Sequence, residues 1–199
     1  MLWSRGDDLD VYGPKGIREI ILLQLRASGS FTGYNLYFHE LESKESEVIY
    51  EDDKVTVSTI PLNHRVYTNG FLFQEKVGNR HLNIEAVAKY KIEKCYFDKI
   101  KQGGNVTLDS GEVIENDLLS FPPDATKSYA FCSDTMYDES IVPLIKEVDV
   151  LYHESTFLDS EQQYTEETKH CTAKEAAKIA KLAKVKQLIL GHYSTRYGS

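Results

Sequence analysis

Residues 148–157 read VDVLYHESTF, a compact apolar strand that runs straight into an imidazole and a carboxylate. The pattern recurs at 187–196, QLILGHYSTR, where a second apolar run ends in His192. Between the two lies a polar loop to His170 and then HCTAKEAAKIAKLAKV, in which Thr172 and Glu175 have capping-box spacing and the alanines favour a helix. Strand, helix and strand in this order read as part of an α/β fold.

Reading toward the N-terminus, SYAFC at 128–132 is a further strand and ends in Ser133-Asp134-Thr135, after the loop marked by Pro122-Pro123. Residues 105–115 read as a small hairpin turning at Asp109-Ser110-Gly111, and Phe71–Glu75 as a strand. Residues 34–41 and 47–60 alternate as strands do, the second bending past Asp52-Asp53, and Pro61 closes it just before Asn63-His64. LDVYG at 9–13 is a short strand; Pro14 then opens a helix with Ile17, Ile21 and Leu25 on one face, ended by Gly29. The stretch KYKIEKCYFDKIKQGG at 89–104 has no clear period.

Four strands therefore finish beside His64, Asp134, His153-Glu154 and His192. In sheets flanked by helices the carboxyl ends of the strands are where ligands and reacting groups gather. His64, Asp134 and His192 are zinc-ligand types, although each taken singly is as readily a hydrogen-bonded loop residue. No HxHxDH or HExxH occurs in the chain, and His39 and His81 stand alone, as surface residues do. Glu154 and His170 suggest an acid/base pair in which the carboxylate sets the imidazole tautomer; the alternative is a capping role for His170 next to Thr172. Ser194 and Arg196 are either phosphate contacts or solvated loop residues. Lys89, Lys91, Lys94, Lys99 and Lys101, interleaved with Tyr90, Tyr96 and Phe97, form either an RNA-binding arm or an exposed face diluted by Glu93 and Asp98.

The 199 residues, 41% of them hydrophobic, suffice for one compact domain with a real core. A net charge of −8 excludes a surface that grips nucleic acid all over, so any RNA contact is local. Cys95, Cys132 and Cys171 lack CxxC spacing and read as reduced packing residues. No run approaches the roughly 20 apolar residues of a membrane span, and MLWSRGDDLD is not a signal peptide, which predicts a cytoplasmic protein without membrane attachment.

Six stretches in order, VYGPKGIREII at 11–21, PLNHRVYTNGF at 61–71, FCSDT at 131–135, LYHESTF at 151–157, HCTAKEAA at 170–177 and LILGHYSTRY at 188–197, resemble ribonuclease Z of the metallo-β-lactamase superfamily. The resemblance implies an αββα sandwich, here partial, with two zinc ions at the sheet edge: His64 on one, His192 on the other, Asp134 bridging. It implies that Glu154 and His170 give a proton to the departing 3′ oxygen, that Arg196 contacts phosphate, and that precursor tRNA is the substrate; the apolar sheet edges left exposed by the missing half predict a homodimer. The insertion at 76–104 matches the family's tRNA-gripping arm, with Lys91, Lys94, Lys99 and Lys101 as its cations, but Lys94-Cys95-Tyr96 stands where a Gly-Pro motif is usual.

The family's HxHxDH segment would precede Met1, and its chains normally continue past Tyr197. The expectation is a single incomplete domain over 1–199, lacking N-terminal strands and the C-terminal end, with weak zinc binding and little nuclease activity alone. A different class of function, a catalytically silent tRNA-binding or dimerisation module of the same fold, is the alternative.

Overall fold

The computed structural model describes residues 6–197, so the first five residues of MLWSRGDDLD lie outside the described part. In chain order the elements are β1 (Leu9–Pro14), α1 (Ile17–Ala27), β2 (Leu36–Leu41), β3 (Val48–Glu51), β4 (Val55–Pro61), β5 (Asn69–Glu75), β6 (His81–Leu82), α2 (Ile84–Lys89), α3 (Phe97–Lys101), β7 (Val106–Thr107), β8 (Val113–Ile114), α4 (Asn116–Leu119), β9 (Ser120–Phe121), β10 (Ser128–Cys132), β11 (Val150–Glu154), α5 (Thr165–Thr168), α6 (Ala173–Ala183) and β12 (Gln187–Gly191). They fall into two compact units, one made of the described residues up to Glu51, Val57–Phe73 and those from Ser128 on, the other of Asp52–Thr56 and Gln74–Lys127.

The first unit is organised by a six-stranded sheet in the order β12-β11-β10-β5-β4-β3. β10, β11 and β12 pair in parallel, with Cys132 opposite His153 and Glu154 opposite Gly191. Alternation then divides the side chains: Ala130, Cys132 and Leu151 join Ile60, Leu72, Ile141, Ile145, Ile179, Ala180 and Ala183 in one buried cluster. On the other face Phe131 stacks on Tyr152 and Phe73 on Tyr129. The close approach of β5 to β10 needs Gly70, since a β-carbon there would run into the Phe131 carbonyl oxygen. β1 and β2 form a separate parallel pair, and α1 beside it buries no residue fully.

α6 begins as its sequence dictates. Thr172 Oγ1 accepts from the Glu175 amide at 3.2 Å, and the Glu175 carboxylate accepts from the Thr172 amide at 2.9 Å. Ala176, Ile179, Ala180 and Ala183, at i, i+3, i+4 and i+7, face the core. The run expected at 47–60 is two strands, because Asp52 Oδ1 accepts from both the Lys54 and Val55 amides at 2.7 Å and so makes a turn. β11 is shifted by two residues from VDVLY: Val148 is in the core before the strand, and His153 and Glu154 are its last two residues.

The second unit has its own core of Val87, Ile92, Ile100, Val106, Ile114 and Leu119. β7 and β8 form the expected hairpin. The stretch at 89–104 resolves into the end of α2, a 3-10 turn at Lys94–Tyr96 and α3, anchored by Ile92 and Ile100. Its period escaped the sequence because these pieces are too short to show one.

The cysteines divide. Cys132 and Cys171 are buried, and desolvation of the thiolate pushes Cys132 up to about 12 and raises Cys171 further. Cys95, contrary to the packing role expected for it, is exposed, because it occupies the outer side of a one-turn 3-10 segment. Only one thiol of the folded chain should therefore react promptly with a disulfide reagent, and Cys95→Ser should remove that reaction. A second fast-reacting thiol in folded protein would show that the core around β10 or the entry to α6 opens.

Candidate metal and acid–base site

The C-terminal ends of β10, β11 and β12 turn abruptly. Asp134, two residues beyond β10, has φ of 60°, and His192, directly after β12, has φ of 58°. Lys169, which ends α5 and precedes His170, is also left-handed at 60°. Non-glycine residues held in this region cost on the order of 1–3 kcal/mol each and gather where a structure has a use for them. Here all three turns present functional groups to one place: ligand atoms of Asp134, Glu154, His170 and His192 lie within 4.8 Å of one another.

Glu154 is at the centre and is fully buried. Its Oε1 accepts from the Thr135 amide at 2.5 Å and meets His170 Nδ1 at 2.9 Å. Its Oε2 accepts from Thr156 Oγ1 at 2.6 Å and from the Cys171 amide at 3.0 Å. A carboxylate can remain in such a place only when its lone pairs are filled, and these four donors fill them. Glu154 thus has no capacity left for a metal; it holds other groups in position.

Three imidazoles are each held at Nδ1. His170 is held by Glu154, His64 by the Lys169 carbonyl at 3.0 Å, and His192 by Thr156 Oγ1 at 2.8 Å. Carboxylate and carbonyl oxygens only accept, so Nδ1 of His170 and His64 carries the proton. The single hydroxyl proton of Thr156 goes to Glu154 at 2.6 Å rather than to the His192 carbonyl at 3.1 Å, which makes Oγ1 the acceptor for His192 Nδ1–H. In this tautomer Nε2 is unprotonated: at His192 it stands 3.2 Å from Asp134 Oδ1, and in each ring it can bind a metal or take up a proton. The ring of His170 lies 5.1 Å from those of both His64 and His192.

The donor set fits a metal ion. Asp134 Oδ1 and His192 Nε2 are 3.2 Å apart, close to the roughly 3.3 Å edge expected of a tetrahedral zinc site with ligands near 2.0–2.1 Å. His64 lies outside the group of four and joins it through its contact with His170. His153, next to Glu154 in sequence, points into the core instead. Its Nδ1 is held by the Glu154 carbonyl at 2.8 Å, its Nε2 is buried without a partner, and burial lowers its pKa.

Of the other residues singled out in the sequence, Arg196 is engaged elsewhere. Its guanidinium pairs with Glu161 at 2.9 Å and lies over the Phe157 and Tyr164 rings at 5.1 and 5.2 Å. Tyr197 also bonds Glu161, and Ser194 Oγ accepts weakly from the Arg196 amide at 3.4 Å. Lys91, Lys94, Lys99 and Lys101 are in the second unit, all but the half-buried Lys101 exposed. His39 and His81 are exposed, as their isolation implied. His170 caps nothing, since Thr172 is the cap. Thr135, Thr156 and the Lys169 carbonyl were not found from the sequence; only Thr156, two residues beyond Glu154 after the same strand, could have been suspected.

Three parallel strands whose carboxyl ends bring together Asp134, Glu154, His170 and His192, a group that could hold a metal ion, point to a class, and solved structures agree in fold. The chain superposes on human tRNase Z, short form, with a TM-score of 0.63 at 22% identity, covering 96% of this chain and 62% of that one. A metallo-β-lactamase-fold protein of Bacillus subtilis gives 0.54 at 14% identity, with 96% and 54% covered. The fold is that of the metallo-β-lactamase-fold proteins. Sequence narrows the likeness: the chain is 43% identical over 196 residues to ribonuclease Z of Bacteroides thetaiotaomicron, 98% of this chain and 62% of the relative, and 41% identical over 198 residues to that of Cytophaga hutchinsonii, 98% and 63%. It is thus a homologue of ribonuclease Z that spans under two thirds of the length of these relatives. No family model matches the chain.

Thr156 is the joint between the buried carboxylate and His192, so Thr156→Val, similar in shape but without the hydroxyl, should weaken zinc or cobalt binding by about 10–100-fold, the usual effect of losing an outer partner of a ligand. Affinity titration on folded variant reads this directly; unchanged affinity would remove Thr156 from the site.

Proposed function

We propose that this chain carries the proton-donating half and part of the metal site of a zinc-dependent endoribonuclease that removes the 3′ trailer of precursor tRNA. The observation that supports it most is the buried Glu154 clamping His170 by Nδ1 beside the Asp134–His192 pair. A phosphodiester hydrolase needs both parts side by side, one to act on the attacking water and phosphate, one to protonate the leaving group.

The resident groups divide the work. Asp134, His192 and His64 would hold the metal, with Asp134 placed beside His192 at 3.2 Å. Zinc bound there would activate the water and neutralise charge on the phosphate. As the bond from water oxygen to phosphorus forms and the bond from phosphorus to the 3′ oxygen breaks, His170 gives its Nε2 proton to that oxygen, and Glu154 stabilises the imidazolium before transfer. Arg196 would have to leave Glu161 to reach a phosphate. The lysines of 76–104, with tRNA as partner, form a local cationic surface on an acidic chain.

These residues give each metal one imidazole and a shared carboxylate, fewer than the three protein ligands a catalytic zinc ordinarily takes. Further ligands would come from the part of the relatives' length that this chain does not match. A homodimer in the cytoplasm is the expected setting; among the described residues no helix is long and apolar enough to cross a membrane.

The chain alone should hold zinc weakly and cut a 3′-extended precursor tRNA poorly. In a protein that also supplies the HxHxDH segment, Asp134→Ala should remove zinc and cleavage together, whereas His170→Ala should keep zinc and slow cleavage by about 10²–10⁴-fold, the usual worth of a positioned acid. Cleavage that survives Asp134→Ala, or zinc lost with His170→Ala, would overturn these assignments.

A further inference from the structure

A cleft of about 490 Å³ opens beside His64, within the first unit, and none of the proton-donating machinery lines it. Its volume falls in the roughly 300–1,000 Å³ range of small-ligand sites. His64 is one wall, and the same ring contacts His170 at 5.1 Å, so the cleft adjoins the candidate site through a shared side chain. Lys44 and Arg65 are at its rim, both exposed, and among the described residues neither forms an ion pair. The cleft's one carboxylate, Asp138, is already turned onto the Ser140 amide at 2.9 Å. On a chain of net charge −8, two uncommitted cations facing one cleft favour an anion locally.

A simple anion does not meet everything the cleft presents. Asn69 lines it, and its amide orientation is fixed: Tyr67 Oη donates to the Ser43 carbonyl at 2.9 Å, so it must accept from Asn69 Nδ2 at 2.8 Å. Asn69 Oδ1 is consequently left buried with no partner, an acceptor that calls for an N–H or O–H donor. A ligand carrying negative charge together with such donors suits the two cations and, once the Asn69 side chain turns to let a donor reach Oδ1, its orphaned acceptor as well, and a nucleotide offers both through its phosphate and its base or ribose.

We propose that this cleft is a subsite for one nucleotide of a single-stranded RNA next to the scissile bond, with Lys44 and Arg65 on its phosphates and Tyr67–Asn69 beneath its base or sugar. It rests on the ribonuclease reading for the identity of the strand, but not on metal. RNA entering this cleft passes His64, which makes the cleft a determinant of which nucleotide is accepted beside the cut.

The test is binding of a single-stranded RNA tetranucleotide to the full chain without metal, followed by affinity and by amide NMR shifts. Wild-type chain should show shifts concentrated at 43–44, 61–69 and 138–140. Lys44→Ala with Arg65→Ala should weaken binding about 10-fold and flatten the dependence of log K on log salt by roughly 0.7 for each phosphate no longer neutralised. Lys44→Arg with Arg65→Lys, which keeps both charges, should restore most of the affinity. Unchanged binding in the double alanine variant, shifts elsewhere on the chain, or full competition by inorganic phosphate alone would overturn the subsite. None of these outcomes touches zinc loading or cleavage, so loss of the subsite leaves the ribonuclease reading standing, and loss of that reading leaves the binding result intact.

Discussion

One buried carboxylate organises the carboxyl edge of the parallel strands. Glu154 gathers donors from three separate segments: Thr135 beyond β10, Thr156 beyond its own strand β11, and His170 with Cys171 ahead of α6. Each hydrogen bond to a charged group contributes about 1.5–3 kcal/mol, and together the four offset the cost of keeping a carboxylate away from water. The consequence is mutual: the donors make the charge tolerable, and the charge fixes where three loop segments lie. The left-handed turns at Asp134, Lys169 and His192 are held by that arrangement.

From this centre the histidine geometry follows. Glu154 holds His170 directly and His192 through Thr156, while the Lys169 carbonyl, one residue from His170, holds His64. Each anchor is made at Nδ1 and faces away from the reacting side. A metal arriving at the edge would meet His64 and His192 with Nε2 free to bind it, and His170 would need only to take up a proton at Nε2 before giving one to a leaving oxygen. The ring of His170 lies 5.1 Å from those of His64 and His192, which puts all three imidazoles in one cluster.

Much of this could be read from the residues. SYAFC and QLILG are strands with the expected ends, and the Thr172–Glu175 cap starts α6, because local signals and burial agree there. β11 slid by two residues because VDVLY and VLYHE are equally compatible with a strand, and only pairing with β10 and β12 sets the register. Thr156 went unnoticed because its role depends on a partner 36 positions away, a contact no periodicity reveals. Arg196 shows the reverse: its residue type suits phosphate, but Glu161, Phe157 and Tyr164, which engage it, are brought there by the fold. The lysine stretch hid two short helical pieces whose order comes from Ile92 and Ile100 in the second core.

Histidine tautomers measured by long-range ¹H–¹⁵N NMR on the metal-free chain, well above the ordinary histidine titration range, show whether Glu154, Thr156 and the Lys169 carbonyl preset the three rings. Free neutral histidine favours the Nε2–H form, so the protein's imprint is visible as a reversal. His64, His170 and His192 should all be Nδ1–H, with unprotonated Nε2 atoms toward the site. An Nε2–H tautomer at His170 or His192 would mean that Glu154 and Thr156 do not preset these rings, and the account of the site would fail at its centre.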